Sequence, residues 1–139
     1  MEIRPFELDD ESAVIALWEQ CGLIRPWNDP KKDIDRKLCV QPHLFLVGLI
    51  EQELVATVMA GYEGHRGWIN YLAVAPSYQQ TGLGRTMMAQ VEQRLHEVGC
   101  PKINLLVRSK NNQVIKFYEH LGYAVDDVII LGKRLEHDE

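Results

Sequence analysis

Gln79-Gln80-Thr81-Gly82-Leu83-Gly84 is the stretch whose residue types and spacing point most directly to chemistry. It follows the apolar run Trp68 to Val74 and leads into a helical pattern from Arg85 to Val98. A strand that turns tightly into a helix aims free N–H groups and the positive end of the helix dipole at one place, which suits a phosphate or pyrophosphate. Gly82 and Gly84 let the backbone approach such a ligand and tolerate left-handed angles. An ordinary strand-to-helix turn has the same free N–H groups, so the context must decide. A P-loop is excluded, because residue 79 is not glycine and Arg85 stands where that loop carries lysine; no G-x-G-x-x-G is present either.

A second segment supplies that context. Asn111-Asn112-Gln113-Val114-Ile115-Lys116-Phe117-Tyr118-Glu119-His120-Leu121-Gly122-Tyr123 carries an Asn, then Phe-Tyr-Glu, then a Leu-Gly-aromatic ending. With Gln79, Gly82 and Gly84 in a Q/R-x-x-G-x-G/A pattern, the chain resembles the GNAT superfamily of acetyl-CoA-dependent N-acetyltransferases over nearly its whole length. Pro26-Trp27-Asn28-Asp29-Pro30 and Gly61-Tyr62-Glu63-Gly64-His65-Arg66-Gly67 are similar to the bacterial YpeA-type subgroup.

The resemblance implies an α/β (α+β) fold, with a mixed central sheet whose fourth and fifth strands splay apart and helices flanking it. Pantetheine would lie in that gap as if it were a pairing strand. Acetyl-CoA would then be held by Gln79, Gln80, Thr81, Gly82, Leu83, Gly84 and Arg85, by the backbone of Leu72, Ala73 and Val74, and by Asn111. Leu72 to Val74 would also fill the sheet centre with their side chains.

Acyl transfer from a thioester to an amine needs a neutral amine, stabilisation of an oxyanion and a proton or hydrogen bond for the departing thiolate. By resemblance Tyr118 stands at the thiolate; its structural role would be to cover a helix–sheet seam. Asn111, seven residues earlier, is two turns away and can share its face, leaving Val114, Phe117 and Leu121 for the core; it is equally suited to be an N-cap. Reference values near ~10 for tyrosine and ~8.5 for a thiol put full proton transfer uphill by roughly 2 kcal/mol.

Many relatives place a glutamate in the fourth strand as base, where this chain has Asn70, which cannot act as one. Glu63 and His65 are the nearest titratable alternatives, in a segment that also reads as a plain hairpin turn. The missing glutamate favours an amine that deprotonates easily, since neutralising a lysine amine at pH 7 costs about 4–5 kcal/mol and an α-amine about 1. Gln79 and Thr81 replace arginines common in the family, and Arg85 stands close by to supply charge. Trp27, Asn28 and Asp29 fall in a loop that by resemblance borders the acceptor, with Asp29 either meeting a cation or capping the helix that follows. Arg66 reads as a solvated surface group or as a contact for an acceptor carboxylate.

Composition is consistent with a small enzyme. A chain of 139 residues supports one core, so a single domain over residues 1–139 is expected. Its start has no basic and apolar leader, and no apolar run approaches a membrane span, which together predict a cytoplasmic protein. Cys21, Cys39 and Cys100 are odd in number and widely separated, arguing against disulfides and for small buried side chains. A formal charge of −5 without a Lys/Arg run argues against nucleic acid and weakly favours a cationic acceptor. The five histidines form no ligand-spaced pair, so no metal is expected.

The elements follow from periodicity. Ile3 to Phe6 reads as a strand; Asp9 caps a helix with the stripe Val14, Leu17, Trp18, Cys21, ended by Gly22. Asp29 caps a second helix, with Pro30 at its first position and Ile34 and Leu38 inward. Leu44 to Ile50 and Leu54 to Ala60 make a hairpin across Glu51-Gln52-Glu53, and Trp68 to Val74 is a further strand. A helix over Arg85 to Val98 with Met88, Val91, Leu95 and Val98 inward leads to a strand at Ile103 to Val107. The final helix is followed by a strand at Val128 to Leu131.

The reading is an acetyltransferase acting from acetyl-CoA, by direct attack on the thioester, on a primary amine of a small molecule or peptide. The alternatives are an acyl-CoA-binding sensor or interaction module with little activity, and acetylation of its own or a partner's lysines. A homodimer is expected from the family resemblance alone.

Overall fold

The computed structural model describes residues 1–138. Their contacts divide into two units, one formed by Met1–Leu105 together with Asp138, the other by Leu106–His137.

The first unit is built on a five-stranded sheet in the order β1 (Glu2–Pro5), β2 (Phe45–Ile50), β3 (Glu53–Tyr62), β4 (Gly67–Val74) and β5 (Ile103–Leu105). The first three pairings are antiparallel and the last, across a helical connection, is parallel. The strands read as near-continuous apolar runs because both faces are covered. Successive side chains point to opposite faces. Phe45, Val47 and Met59 therefore join Phe6, Val14, Leu17, Trp18 and Ile34 in one cluster, while Gly48 faces Met87 on the other side.

Helix α1 (Glu11–Gln20) buries Val14, Leu17 and Trp18. Its start differs from expectation: Asp10, not Asp9, organises it. The Asp10 carboxylate accepts from the Glu7 N–H at 2.8 Å and from both Arg4 Nη atoms at 2.7 and 3.0 Å. The nearby guanidinium holds that carboxyl below its usual range. Helix α2 (Pro30–Leu38) begins as expected, with Asp29 Oδ1 accepting from Lys31 N and Lys32 N at 2.9 and 3.3 Å.

The β2–β3 turn has only two residues outside the strands, Glu51 and Gln52, both left-handed at φ 50° and 68°. These are the angles that a two-residue hairpin needs to match strand twist. At its other end β3 outruns its neighbour, since pairing with β2 stops at Phe45–Met59. Side chains replace the missing strand: Lys37 Nζ donates to Ala60 O, and Gln41 Nε2 and Oε1 bond Tyr62 O and N at 2.9 and 2.8 Å. Unpaired backbone in a sheet must find partners. Burial at this splint pulls Lys37 down to about 8.

Helix α3 (Leu83–Glu97) starts two residues earlier than its apolar pattern suggested and buries Met87, Met88, Val91 and Leu95. Val98, expected inward, is the exposed C-cap. Next to the β4–β5 pairing, a Cβ on Gly67 would lie 2.7 Å from Cys100 Sγ, so that thiol occupies the space a side chain would need. Cys100 is buried, Cys21 half-buried and Cys39 exposed, so only one of the three fits the small buried role.

The second unit contains α4 (Asn112–His120), which ends at the left-handed Gly122 (φ 96°), with the Tyr123 N–H returning to Tyr118 O at 3.0 Å. The strand expected at Val128 to Leu131 is absent. These residues belong to no strand and are 59 to 89% exposed. Apolar β-branched composition makes a segment suited to a strand, but a strand exists only where a ladder partner accepts it.

Candidate active site

The site begins where β4 leaves β5. Pairing between them covers Gly67–Ile103, Trp68–Asn104 and Ile69–Leu105 and then stops, because β5 ends at Leu105 instead of the expected Val107. From Asn70 to Val74 no strand among the described residues pairs with that edge of β4. The divergence coincides with a bulge: the register with β3 slips between Thr57–Ala73 and Met59–Asn70, so Tyr71 and Leu72 oppose one residue. Tyr71 is left-handed, at φ 52°. For a bulky aromatic this backbone persists only where the surroundings over-determine it.

They do so through three side chains, Trp18, Thr57 and Asp33. Tyr71 stacks on Trp18, with ring centroids 3.7 Å apart and planes 11° apart. Trp18 Nε1 donates to Thr57 Oγ1 at 2.9 Å, and that hydroxyl donates to Tyr71 O at 2.8 Å. The Tyr71 hydroxyl donates to Asp33 Oδ2 of α2 at 2.6 Å. Burial, followed by the Asp33 carboxylate, pushes the phenol far above its ordinary range.

The expected anion loop follows β4. After a 3-10 turn at Pro76–Tyr78, Gln80 (φ 63°) and Gly82 (φ 88°) are left-handed, and α3 starts at Leu83. Gly82 carries no side-chain cap, and the first helical bond is Thr86 N to Gly82 O at 3.1 Å, which leaves the helix's opening N–H groups facing outward. A Cβ on Gly82 would meet nothing within 4 Å, so glycine is needed there for its angle. Gln79 Nε2 donates to Val74 O at 3.0 Å and Cys21 Sγ to the same oxygen at 3.3 Å, tying the loop to the strand end. Thr81 Oγ1 bonds Tyr78 O, and Arg85 is exposed. Leu72 and Val74 are half-buried, Ala73 buried.

In the second unit, Asn111 is the N-cap of α4, its side-chain oxygen accepting from Val114 N at 3.4 Å. Tyr118 is the one buried residue of that helix; Val114 and Phe117, expected to fill the core, are half-exposed. Asn111 is exposed, so the two do not share an environment. Tyr118 packs edge-on against Phe117 and Tyr123, and burial pushes its phenol up to about 12.

The β3–β4 hairpin carries the other expected titratable groups. Glu63 is exposed, and its two oxygens accept from His65 N at 2.6 Å and Arg66 N at 2.5 Å, which makes it the organiser of the turn. His65 is exposed, and Arg66 Nη1 donates to His65 O at 2.9 Å. Asn70 is exposed. Trp27 is exposed beside Asn28 and the capping Asp29. Among the described residues no group of three His, Cys, Asp or Glu side chains is gathered for a metal, and no helix is long and apolar enough to cross a membrane.

Sequence reasoning missed Tyr71, Asp33, Thr57 and the indole N–H of Trp18. The only linear signal was a polar Thr57 within an apolar strand, which a buried hydroxyl must satisfy.

Comparison with known proteins settles the family. The model of the acetyltransferase (GNAT) family matches residues 9–123, running through both units. The chain belongs to the GNAT acetyltransferase family. This GNAT chain is 51% identical over 140 residues to acetyltransferase SG1711 of Sodalis glossinidius, covering 100% of the chain and 99% of that protein. It is also 51% identical over 138 residues to acetyltransferase ECA0875 of Pectobacterium atrosepticum, covering 99% and 98%. Its fold matches the crystal structure of Ard1 from Thermoplasma volcanium with a TM-score of 0.78 at 20% identity, over 90% of this chain and 83% of that one. The protein is an acetyltransferase of the GNAT fold, and its acceptor is unidentified.

Proposed function

We propose that this chain, read as one GNAT domain, transfers the acetyl group of acetyl-CoA to a primary amine. The observation that carries the proposal is the coincidence of the Tyr71 bulge, the unpaired β4 edge and the uncapped start of α3 within one strand-loop-helix segment. The opening N–H groups at Leu83, Gly84 and Arg85, with the loop Gln79 to Gly82, suit a pyrophosphate. The free edge at Leu72 to Val74 suits an amide-bearing arm that pairs like a strand.

The amine nitrogen attacks the thioester carbonyl, the C–S bond breaks, and the thiolate leaves. Tyr118 is assigned to the thiolate. With its phenol near 12, full proton transfer to a thiolate of reference value ~8.5 is uphill by about 5 kcal/mol, so it donates a hydrogen bond. Asn111 is assigned to CoA from its helix-capping position. Glu63 is the proposed proton acceptor of the hairpin, its two oxygens already accepting from His65 N and Arg66 N. Asn70 in place of a strand glutamate favours acceptors that lose their proton easily, such as an α-amine. The three free thiols support a cytoplasmic setting.

Calorimetric titration with acetyl-CoA, followed by thiol release with a panel of amines, polyamines, amino acids and peptides, tests the reading. Binding plus release with one acceptor class is expected; no acetyl-CoA binding overturns it, and binding without release from any acceptor makes the protein a sensor.

A further inference from the structure

Arg36, in the last turn of the nine-residue α2, points its guanidinium at a carboxylate from far along the chain. Its Nη1 and Nη2 lie 3.0 and 2.9 Å from Asp138 Oδ2 and Oδ1, a two-pronged pairing between residues 102 apart. The Asp138 side chain is 1% exposed, whereas Arg36 remains 52% exposed. The Asp29 backbone N–H and the charge of Lys32 act on the same carboxylate, and with Arg36 foremost they hold it below its usual range. Three separate elements of recognition, a planar fork, a backbone donor and a second cation, thus converge on one carboxylate.

The place connects to the reaction site through two side chains. Arg36 Nη1 lies 3.6 Å from Asp33 Oδ1, and Asp33 Oδ2 takes the hydrogen bond of Tyr71 at the bulge. Trp27, Asn28 and Asp29 precede the same helix. A fork of this kind suits carboxylate and phosphate alike, but the flanking acids Asp29 and Asp33 disfavour a doubly charged group.

Resting on the acetyltransferase reading, we propose that the Arg36 fork is a carboxylate subsite for the acceptor, and that Asp138 occupies it until an acceptor arrives. The acceptor class is then a primary amine that also bears a carboxylate, an amino acid or a close derivative. The amine is acetylated while the carboxylate is held, and Asp138 is a competing occupant built into the chain.

The test compares wild type, Asp138→Asn and Arg36→Gln. Calorimetry with N-acetylglycine and with its carboxamide reads the subsite without turnover. Asp138→Asn is expected to tighten N-acetylglycine binding about tenfold with no effect on the carboxamide, and Arg36→Gln to abolish the difference between the two probes. In turnover, Asp138→Asn lowers KM for L-lysine about tenfold at similar kcat and leaves KM for cadaverine unchanged. Equal affinity of wild type and Asp138→Asn for N-acetylglycine overturns the proposal, as does a gain shared by the carboxamide. Thiol release with cadaverine alone leaves the transferase standing and removes the subsite; Arg36-dependent carboxylate binding without thiol release from any amine keeps the subsite and removes the transferase reading.

Discussion

The Tyr71 hydroxyl donates to Asp33 Oδ2 at 2.6 Å, joining the one left-handed residue of β4 to helix α2. Thr57 fixes the carbonyl of the same tyrosine from the neighbouring strand, and Trp18 covers its ring. The bend that separates β4 from β5 is thus held at both ends of a single residue.

Tyr71→Phe removes the bond to Asp33 and keeps the stacking. Loss of a hydrogen bond to a charged group costs about 1–3 kcal/mol of stability. Turnover is expected to fall about tenfold while acetyl-CoA affinity stays within a factor of about two, because the loop proposed to hold the pyrophosphate is untouched. Steady-state kinetics and calorimetry on the variant separate the two; affinity falling with turnover left intact would contradict this role for the bulge.

Gly82→Ala puts a Cβ into open space but forces alanine to φ 88°. Such strain costs on the order of 1–3 kcal/mol, borne by the loop. Acetyl-CoA binding is expected to weaken about tenfold in calorimetry, with a small change in melting temperature. Undiminished binding would remove the Gly82 turn from the cofactor site.

Tyr118→Phe deletes the hydroxyl assigned to the thiolate. Turnover is expected to drop about 10²–10³-fold, as for loss of one hydrogen-bond donor to a developing anion, with acetyl-CoA affinity nearly unchanged. Single-turnover thiol release measures it, and a variant as fast as wild type would take Tyr118 out of the mechanism.

Lys37 and the two tyrosines give stability a two-sided pH profile. The lysine is near 8 when folded and 10.5 when unfolded, so between those values the unfolded chain binds more protons and stability rises with pH. Tyr71 and Tyr118 are raised when folded, so above about pH 10 the folded chain holds more protons and stability falls. Urea denaturation from pH 7 to 11 should show a rise of up to about 3 kcal/mol and then a decline. Lys37→Met should flatten the rising limb; a rise that survives the substitution would assign it to another group.

Much of this was legible because local chemistry and fold agree. Asp29 before Pro30 makes a cap wherever it stands, and glycines at 82 and 122 mark turns whose angles they alone adopt comfortably. What stayed hidden depends on partners. The bulge at Tyr71 carries no glycine or proline, because stacking and hydrogen bonds from remote segments impose its angle. Tyr118, not Phe117, is buried, a shift of one position that helical spacing alone cannot resolve. Val128 to Leu131 has the composition of a strand and lacks the neighbour. Asp10 displaced Asp9 because Arg4, six residues back, was within reach.

The contact between Gly67 and Cys100 gives the chain an internal clock. Cys100 is buried against a glycine that leaves room for its sulfur and nothing larger, whereas Cys39 is open and Cys21 lies between. An alkylating reagent must therefore wait at Cys100 for the β4–β5 edge to open, while Cys39 reacts at once. The rate at which Cys100 is consumed, set against that of Cys39, reads out how often that edge loosens.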